Sequence, residues 1–513
     1  MLNIGGKILT YRDYIAIVLN NERFEIEQTT FDEANENFQF LKTFSSDKVI
    51  YGINTGFGPM AQFKIPYADR LVLQYNLIRS HASGMGNPIA YEYCRAMLLD
   101  RLSTFMQCKS GVHIDLIVLI AQMLDKDMAP VIYEHGGVGA SGDLVQLAHM
   151  ALAITGEGEV WHKGKIVLAS KAFDEEGITP FAIRLREGLA MMNGTSCMTG
   201  IGLVNVYYAE KLLQLSCLVS VTINEIMGAF DDHLSEALNE VKLHEGQNKI
   251  ASIMRNLVSE STLLRSRQEH LYKETQETEF KEKVQEYYSL RCTPQILGPI
   301  YDTISNTKKI LEQELNSVSD NPVIDHKRKN VFHGGNFHGD YVALEMDKLK
   351  IAVTKLSMLA ERQLNYLLND KLNGKLPPFI NTGTIGLNFG IQGIQYTATS
   401  TVAENQTLSN PLYVHSIPSN NDNQDIVSMG SNAALMASKV IDNAFHVLSV
   451  QCLALIQAID YLGKKERLSP EGKKLFLALN IFSNQINEDM PSFGALKSIC
   501  NYLKNDFSLT AYK

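Results

Sequence analysis

Apolar residues with helical spacing dominate the chain from residue 198 to residue 462. Five segments there are apolar on several faces, a pattern typical of helices buried in a protein core. They span residues 198–230, 295–318, 338–368, 390–408 and 426–462. Strand-like alternation is confined to short pieces such as the stretch at 156–167, which predicts a small hairpin. We therefore predict an all-α fold built around a long central helix bundle.

Three polar segments interrupt this helical pattern. Residues 259–286 are dense in charge and predict a solvated helix or flap, whereas residues 371–383 and 416–425 contain clusters of proline, glycine or asparagine that predict loops. The pattern changes near residue 195, where a loop-rich N-terminal part gives way to the long helices. We predict two regions, residues 1–195 and residues 196–513.

Composition and charge narrow the class of protein. The 513 residues are 45% hydrophobic and 20% charged, with a net charge of −9 and no basic stripe, which argues against nucleic-acid binding. The seven scattered cysteines are typical of reduced thiols in a cytoplasmic protein. Residues 1–20 lack a signal-peptide pattern, and the long uncharged stretches 188–209 and 376–403 are too polar for a lipid bilayer. We therefore predict no membrane helix.

No spacing in the sequence is typical of a metal site. Neither Cys-x-x-Cys nor His-Glu-x-x-His occurs, and His333 and His338 lie near each other without further ligands close by. Hydrogen-bonded loop histidines are the simpler interpretation of this pair, so we predict no metal.

The loop at residues 136–143, Gly-Gly-Val-Gly-Ala-Ser-Gly-Asp, carries the most informative chemistry. Protein side chains include few strong electrophiles, and an Ala-Ser-Gly backbone is able to make one. If the amide nitrogen of Gly142 attacks the carbonyl carbon of Ala140, a five-membered ring closes. Loss of water, including the Ser141 hydroxyl, then leaves a methylidene-imidazolone. Gly142 suits the attacking position because it has no Cβ and accepts unusual backbone angles.

The same loop has two other interpretations. Any glycine-rich stretch before a helix is often only a tight turn. The spacing Gly137-x-Gly139-x-x-Gly142, followed by an apolar helix at 144–154, also fits the fingerprint of a dinucleotide-binding fold. That fingerprint requires a buried strand in a repeating strand–helix–strand unit. The preceding stretch at 131–135 is short and ends in polar residues, and no second unit follows.

Further polar clusters stand between the apolar segments. In the cluster at residues 287–291, the guanidinium of Arg291 is able to hold a carboxylate in a bidentate fork, a geometry that lysine does not match. In isolation, each cluster is equally typical of a turn, a helix cap or a surface ion pair. The clusters are residues 51–58, which present Tyr51; Asn193 with residues 194–196; residues 287–291; residues 319–322; residues 334–340; and residues 420–425.

Taken together and in this order, these blocks resemble the aromatic amino acid ammonia-lyase family, which includes histidine, phenylalanine and tyrosine ammonia-lyases and related aminomutases. The resemblance runs from about residue 5 to residue 461. It implies a mainly helical fold and a homotetramer whose active sites draw on three subunits, with residues 196–513 as the tetramerisation region. It also implies a self-made methylidene-imidazolone cofactor, formed here from Ala140, Ser141 and Gly142.

The resemblance assigns roles to individual residues of this chain. The exocyclic methylene captures the substrate amine, and Tyr51 removes the β-proton as general base. An ordinary phenol has a pKa of about 10, so the site has to favour the phenolate. Arg291 holds the substrate carboxylate, Asn193 hydrogen-bonds the cofactor oxygen or the substrate, Tyr288 assists ring formation and proton handling, and Phe337 packs on cofactor and substrate. Two residues are implied as secondary contacts: Gln295 and Asn321.

The positions that select the substrate give mixed indications. Ser80-His81 resembles the pair of the histidine lyases, but those enzymes place a glutamate at the position of Gln424, where it pairs with imidazole. Without that carboxylate, the site is expected to bind histidine less well. His81 remains as a polar group that is able to hydrogen-bond the phenol hydroxyl of tyrosine. The block at 142–147 also resembles bacterial tyrosine ammonia-lyases. We therefore predict elimination of ammonia from L-tyrosine to give trans-4-coumarate; the alternatives are a histidine ammonia-lyase giving urocanate and an aromatic aminomutase.

Overall fold

Helices dominate the structure, a computed structural model that describes residues 1–280, 283–483 and 488–509. Helix accounts for 59% of the chain and strand for 8%, so the predicted all-α class is confirmed. The helices are α1 Tyr11–Asn20, α2 Gln28–Phe44, α3 Arg70–His81, α4 Tyr91–Met106, α5 Ile114–Asp125, α6 Leu144–Ile154, α7 Ala169–Glu176, α8 Glu187–Met192, α9 Ser196–Met227, α10 Glu236–Glu240, α11 Glu245–Leu257, α12 Arg267–His270, α13 Tyr288–Arg291, α14 Thr293–Leu315, α15 Asp340–Leu368, α16 Asp370–Asn373, α17 Gln392–Leu408, α18 Gly430–Leu462, α19 Pro470–Asn480 and α20 Phe493–Asn501.

The five long apolar segments all form helices, namely α9, α14, α15, α17 and α18. Their ends differ from the predicted ones by a few residues, because hydrophobic spacing marks the buried face of a helix and not its capping residues. Helix α18 has the length and apolar composition of a membrane span, and 78% of that apolar window is buried inside the protein. Absence of a membrane helix therefore stays a prediction.

The strands are short and form small separate sheets. They are β1 Leu2–Ile4, β2 Phe24–Ile26, β3 Met85–Pro88, β4 Ala129–Pro130, β5 Tyr133–His135, β6 Glu159–His162, β7 Lys165–Leu168, β8 Val323–Asp325 and β9 Asn330–Phe332. Strands β6 and β7 make the predicted hairpin, and β4 extends it to three antiparallel strands. Among these strands of the described residues, only β1 and β2 pair in parallel, and the other parallel contacts are isolated bridges such as the one between Gly142 and Gly194. The repeating parallel sheet of a dinucleotide-binding fold is therefore missing from the described residues, and that interpretation is wrong.

The three polar segments that interrupt the helices are mainly irregular. The charged segment 259–286 contains only the short helix α12 among its described residues, and residues 281 and 282 lie outside the described part. The segment 371–383 contains the end of α16 and the 3₁₀ turn Pro378–Ile380, and the segment 416–425 is a loop. The predicted loops are thus confirmed.

Backbone contacts divide the chain into two compact units. Unit 1 contains Met1–Tyr207, Thr307–Asp347 and Pro411–Ser438, and unit 2 contains the remaining segments, Tyr208–Asn306, Lys348–Asn410 and Lys439–Lys513. The division into residues 1–195 and 196–513 stays a prediction. Within unit 1, helices α3, α6 and α8 pack against one another. This packing brings the end of α3, the start of α6 and the end of α8 to one place.

Candidate active site

The glycine-rich loop between β5 and α6 is held from one side by residues just before α18 and in its first turn. The side-chain amide of Asn432 donates to the carbonyl of Gly137 at 3.1 Å, and the amide of Met429 donates to the carbonyl of Val138 at 3.1 Å. The Ser428 hydroxyl donates to the carbonyl of Gly139 at 3.0 Å. Three consecutive carbonyls are therefore satisfied, which fixes the path of the backbone just before Ala140.

The other side of the loop lies against the turn that follows α8. Gly142 has φ +69°, and a Cβ built on it would overlap the carbonyl group of Gly194. The amide of Asp143 donates to that same carbonyl at 2.8 Å. Only glycine fits position 142, because its backbone angle and this close approach both exclude a side chain.

Asp143 fastens the loop to the start of α9, a role that the sequence analysis missed. Its buried carboxyl accepts hydrogen bonds from the amide of Met198 at 2.9 Å and from the Ser431 hydroxyl. Burial raises the pKa of Asp143 to about 6, while these hydrogen bonds act in the opposite direction. A carboxylate placed directly after the tripeptide and before an apolar helix was the available signal in the sequence.

Ser141 lines a cavity of about 280 Å³ in unit 1. This cavity, which we call the Ser141 cavity, brings together five of the predicted site residues from distant parts of the sequence. They are Tyr51, His81, Ser141, Asn193 and Gln424. The remaining walls are apolar or carry amides and small polar groups. These other residues are Phe57, Gly58, Met60, Leu73, Asn76, Leu77, Ser80, Leu144, Leu189, Asn420 and Asn423.

Three further wall residues belong to α3 and were not singled out from the sequence. Leu73, Asn76 and Leu77 recur at helical spacing and therefore share a face of that helix. The spacing was visible in the sequence, but an ordinary core-facing stripe has the same spacing, so it was no signal for a cavity.

Tyr51 is held by its own glycine-rich loop. The amide of Gly58 donates to the phenol oxygen at 3.2 Å, and the ring of Phe57 lies edge-on to the tyrosine ring with centroids 6.0 Å apart. A hydrogen bond donated to the oxygen stabilises negative charge on it. This arrangement suits a phenol that has to act as a base.

The amide-rich loop brings Gln424 to Ser141. The Gln424 side-chain nitrogen donates to the Ser141 hydroxyl oxygen at 3.1 Å, and its side-chain oxygen accepts from the Ser419 hydroxyl at 3.2 Å. Backbone hydrogen bonds between Ser419 and Gln424 close the loop, which turns through three residues with positive φ. They are Asn420, Asn421 and Asp422, residue types that tolerate left-handed backbone angles.

His81 ends α3 with a defined ring orientation. Its Nδ1 lies 2.9 Å from the carbonyl oxygen of Leu77 and 3.0 Å from the Ser80 hydroxyl. A carbonyl only accepts, so Nδ1 carries the proton, and Nε2 of the neutral ring is then a hydrogen-bond acceptor. His81 is one of the α3 residues that line the Ser141 cavity.

Asn193 ends α8 and is almost fully buried at 3% exposure. Its side-chain oxygen has no hydrogen-bond partner within the described residues. Buried polar atoms are nearly always paired, so an orphaned one in a cavity wall indicates that a further group completes the site. Asn193 thus fits the implied contact to cofactor or substrate.

Asn321 and Phe337 belong to unit 1 but are not among the residues that line the Ser141 cavity. The carbonyl of Asn321 accepts from the buried Arg186 at 3.0 Å, and its side-chain oxygen accepts from the amide of Gly334 at 2.9 Å. Phe337 lies half-buried in the loop that Gly334 begins. Their implied contacts to substrate or cofactor stay predictions.

Tyr288, Arg291 and Gln295 belong to unit 2. The Arg291 guanidinium stacks on the Tyr288 ring at 4.6 Å and donates to the carbonyl of Glu286 at 2.6 Å. Tyr288 and Arg291 line a cavity of about 610 Å³, and the side-chain oxygen of Gln295 is buried without a partner in the described part of the chain. The Ser141 cavity has none of these three in its lining.

The residues around Ser141 fit a methylidene-imidazolone. The loop backbone is fixed on both sides, position 142 accepts no Cβ, Ala140 is buried, and an orphaned Asn193 oxygen and the Gln424 amide offer polar contacts. No cluster of three His, Cys, Asp or Glu side chains suited to a metal occurs in the ranges that the structure describes. Absence of a metal stays a prediction.

The helical fold, with an Ala-Ser-Gly loop at a polar cavity, defines an enzyme of the carbon–nitrogen lyase class. The family model for aromatic amino acid lyases matches residues 9–480. A tyrosine 2,3-aminomutase of Chondromyces crocatus is 36% identical, with 98% of this chain and 96% of the relative covered. A histidine ammonia-lyase of Bacillus subtilis is 36% identical, with 99% of this chain and 97% of the relative covered. The crystal structure of a tyrosine aminomutase from Streptomyces globisporus superposes on this chain with a TM-score of 0.93. The sequence identity is 34%, and the superposition covers 98% of this chain and 96% of the other. The chain belongs to the aromatic amino acid lyase family.

Proposed function

We propose that this protein is a tyrosine ammonia-lyase, which eliminates ammonia from L-tyrosine to give trans-4-coumarate. The observation that carries the proposal is that His81 and Gln424 both line the Ser141 cavity. His81 offers an acceptor nitrogen that suits a phenol O–H, because its other ring nitrogen donates to Leu77. Gln424 is neutral, so it offers no charged partner to an imidazole ring.

The cofactor of this reaction is proposed to be a methylidene-imidazolone formed by Ala140, Ser141 and Gly142, which supplies the electrophile that captures the substrate amine. Tyr51 removes the β-proton, and the Gly58 amide at its oxygen supports the negative charge that a base needs. Asn193 completes the polar contacts with its unpaired oxygen. Proton removal and departure of the amine together give the α,β-unsaturated acid and ammonia.

The substrate carboxylate is proposed to be bound by a second copy of the chain. Among the described residues that line the Ser141 cavity there is no lysine or arginine, although the substrate carries a negative charge. Arg291, with Tyr288 beside it, is the residue that the family resemblance assigns to the carboxylate, and both belong to unit 2. We infer a homotetramer, active in the cytoplasm, in which one copy provides the Ser141 cavity and another provides Arg291.

Replacing His81 with leucine is expected to reverse the choice between tyrosine and phenylalanine. The phenol hydroxyl of tyrosine would lose its acceptor, whereas phenylalanine would gain an apolar wall. We expect the ratio of kcat/KM for tyrosine over phenylalanine to fall by roughly 10²-fold or more. The measurement is the kcat/KM of each substrate for the wild type and for His81→Leu.

Leu73→Ala is the matched control, because it enlarges the same wall without removing an acceptor. It should change both kcat/KM values in the same direction. A wild-type enzyme that turns over phenylalanine and tyrosine equally well would contradict the role of His81.

A tyrosine 2,3-aminomutase is the second candidate, because relatives of that name are 36% to 40% identical to this chain. Such an enzyme returns ammonia to the β-carbon and releases β-tyrosine in place of coumarate. The relatives named histidine ammonia-lyases add L-histidine as an alternative substrate.

Product analysis separates these functions. Purified enzyme is incubated separately with tyrosine, histidine and phenylalanine, and the products are followed by ultraviolet absorbance and by chromatography for β-amino acids. We expect 4-coumarate and an equal amount of ammonia from tyrosine, and no product from Ser141→Ala. Dominant β-tyrosine would favour the aminomutase, and urocanate from histidine would contradict the proposed substrate.

A further inference from the structure

Arg101 lies behind the turn that presses on the cofactor loop. Its side chain is fully buried, at 0% exposure, on helix α4. The guanidinium donates to the carbonyl of Ala190 near the end of α8 and lies 3.5 Å from the carbonyl oxygen of Ser319. A Cβ built on Gly194 would overlap its Nη1 atom, so the guanidinium is in direct contact with Gly194.

A chain of contacts within unit 1 therefore links Arg101 to the cofactor loop through Gly194. The Arg101 guanidinium contacts Gly194, and the carbonyl of Gly194 contacts Gly142. The Asp143 amide bonds to this carbonyl at 2.8 Å, so Gly194 and the cofactor loop are joined as well as packed. Ser319 also holds the turn at Gly194, because its hydroxyl accepts from the amide of the next residue, Thr195, at 3.4 Å.

This position is a costly one for a charged side chain. Burial lowers the pKa of Arg101 to about 10, and its Nε atom has no hydrogen-bond partner among the described residues. The bidentate ion pair of Asp320 is made with a different arginine, Arg186. An apolar residue of similar volume is often no less stabilising than a buried charge, so stability alone is a weak reason for an arginine here.

We propose that Arg101 is a positioning residue for formation of the cofactor, which holds Gly194 against Gly142 while the ring closes. The proposal rests on the proposed methylidene-imidazolone. Ring closure forms a bond from the Gly142 nitrogen to the Ala140 carbonyl carbon, and two waters leave. One carries the Ala140 oxygen with the amide hydrogens of Ser141 and Gly142, and the other carries the Ser141 hydroxyl with the Ser141 α-hydrogen, so no oxidant or reductant is required.

The physical reason is that ring closure requires a very short distance between two backbone atoms. The Gly142 nitrogen has to approach a carbonyl carbon two residues earlier in the chain. If the turn at Gly194 moves away from Gly142, the loop relaxes and this distance grows. A displacement of about 1 Å commonly costs roughly 10²-fold in the rate of such a step. Arg101 prevents this movement because its guanidinium packs directly against Gly194 and is itself held by the main-chain carbonyls of Ala190 and Ser319.

The test follows cofactor formation by intact mass, which requires no substrate. The variants are Arg101→Lys, which keeps the charge, and Arg101→Met, which keeps most of the volume. We expect the wild type to lack the mass of two waters, and the folded fraction of both variants, isolated by size exclusion, to contain mainly the unmodified chain. During refolding, the mass loss should proceed roughly 10²-fold more slowly than in the wild type.

Arg95→Lys and Arg95→Met are the matched controls. Arg95 is also a buried arginine on α4, and it donates to the main-chain carbonyls of Ile17 and Leu124, away from the loop. These controls should lose both waters at the wild-type rate, even where their melting temperature falls. A folded Arg101 variant with the complete mass loss at the wild-type rate would overturn the proposal, and so would equal slowing in the Arg95 variants. A wild type with no mass loss would instead contradict the proposed cofactor.

Discussion

Tyr51→Phe is expected to abolish nearly all turnover while the cofactor still forms. The change removes only the phenol oxygen that accepts from the Gly58 amide, and the ring keeps its edge-on contact with Phe57. Loss of a general base commonly lowers the rate by 10²- to 10⁴-fold, so we expect a fall of roughly 10³-fold. The measurements are kcat with saturating tyrosine and the intact mass of the same preparation.

Tyr133→Phe is the control for this experiment. Its hydroxyl donates to Glu159 at 3.1 Å, and it does not line the Ser141 cavity in the part of the chain that the structure describes. Turnover should stay near that of the wild type. If Tyr51→Phe keeps most of its rate, another group removes the β-proton; if it also lacks the mass loss, its effect is on ring formation.

Co-expression of Tyr51→Phe with Arg291→Ala is expected to restore activity that neither variant has alone. Tyr51 lines the Ser141 cavity of unit 1, whereas Arg291 belongs to unit 2, so a mixed oligomer would contain sites with both residues intact. Loss of a charge-assisted contact to the carboxylate should lower the rate of Arg291→Ala alone by roughly 10²-fold. Random assembly of a symmetric oligomer would leave about a quarter of the sites intact. The measurement is turnover by doubly tagged, mixed oligomers.

Co-expression of Tyr51→Phe with Ser141→Ala is the matched control. Tyr51 and Ser141 line the same cavity within one unit, so every mixed site would lack one or the other. No restoration is expected for this pair. Restoration in the control, or none with Arg291→Ala in confirmed mixed oligomers, would contradict active sites shared between copies.

The helical class and the loops were predictable because each depends on local pattern. Apolar spacing predicted α9 and α18 within a few residues, since burial of a helix face is written into its sequence period. The hairpin of β6 and β7 followed from short-range alternation in the same way. The dinucleotide fingerprint failed because a glycine spacing describes a tight turn, and the surrounding sheet decides what the turn binds.

The candidate site was predictable only in part. Tyr51, His81, Ser141, Asn193 and Gln424 line one cavity, and their roles there stay predictions. Asp143 was missed because its importance comes from a bond to the start of α9, which local sequence does not encode.

Arg101 was missed as well, since nothing in a mostly apolar helix distinguishes an arginine that will be buried from one that will be exposed. The implied roles of Tyr288, Arg291, Gln295, Asn321 and Phe337 stay predictions, because they depend on assembly or on a bound substrate.

The sequence by itself determined which backbone is chemically able to rearrange, because that capacity belongs to three adjacent residues. Only the tertiary structure decided that Gly142 faces the carbonyl of Gly194 and that a buried arginine stands behind it. Such contacts join segments far apart along the chain. The pattern of residues within each single segment therefore does not encode them.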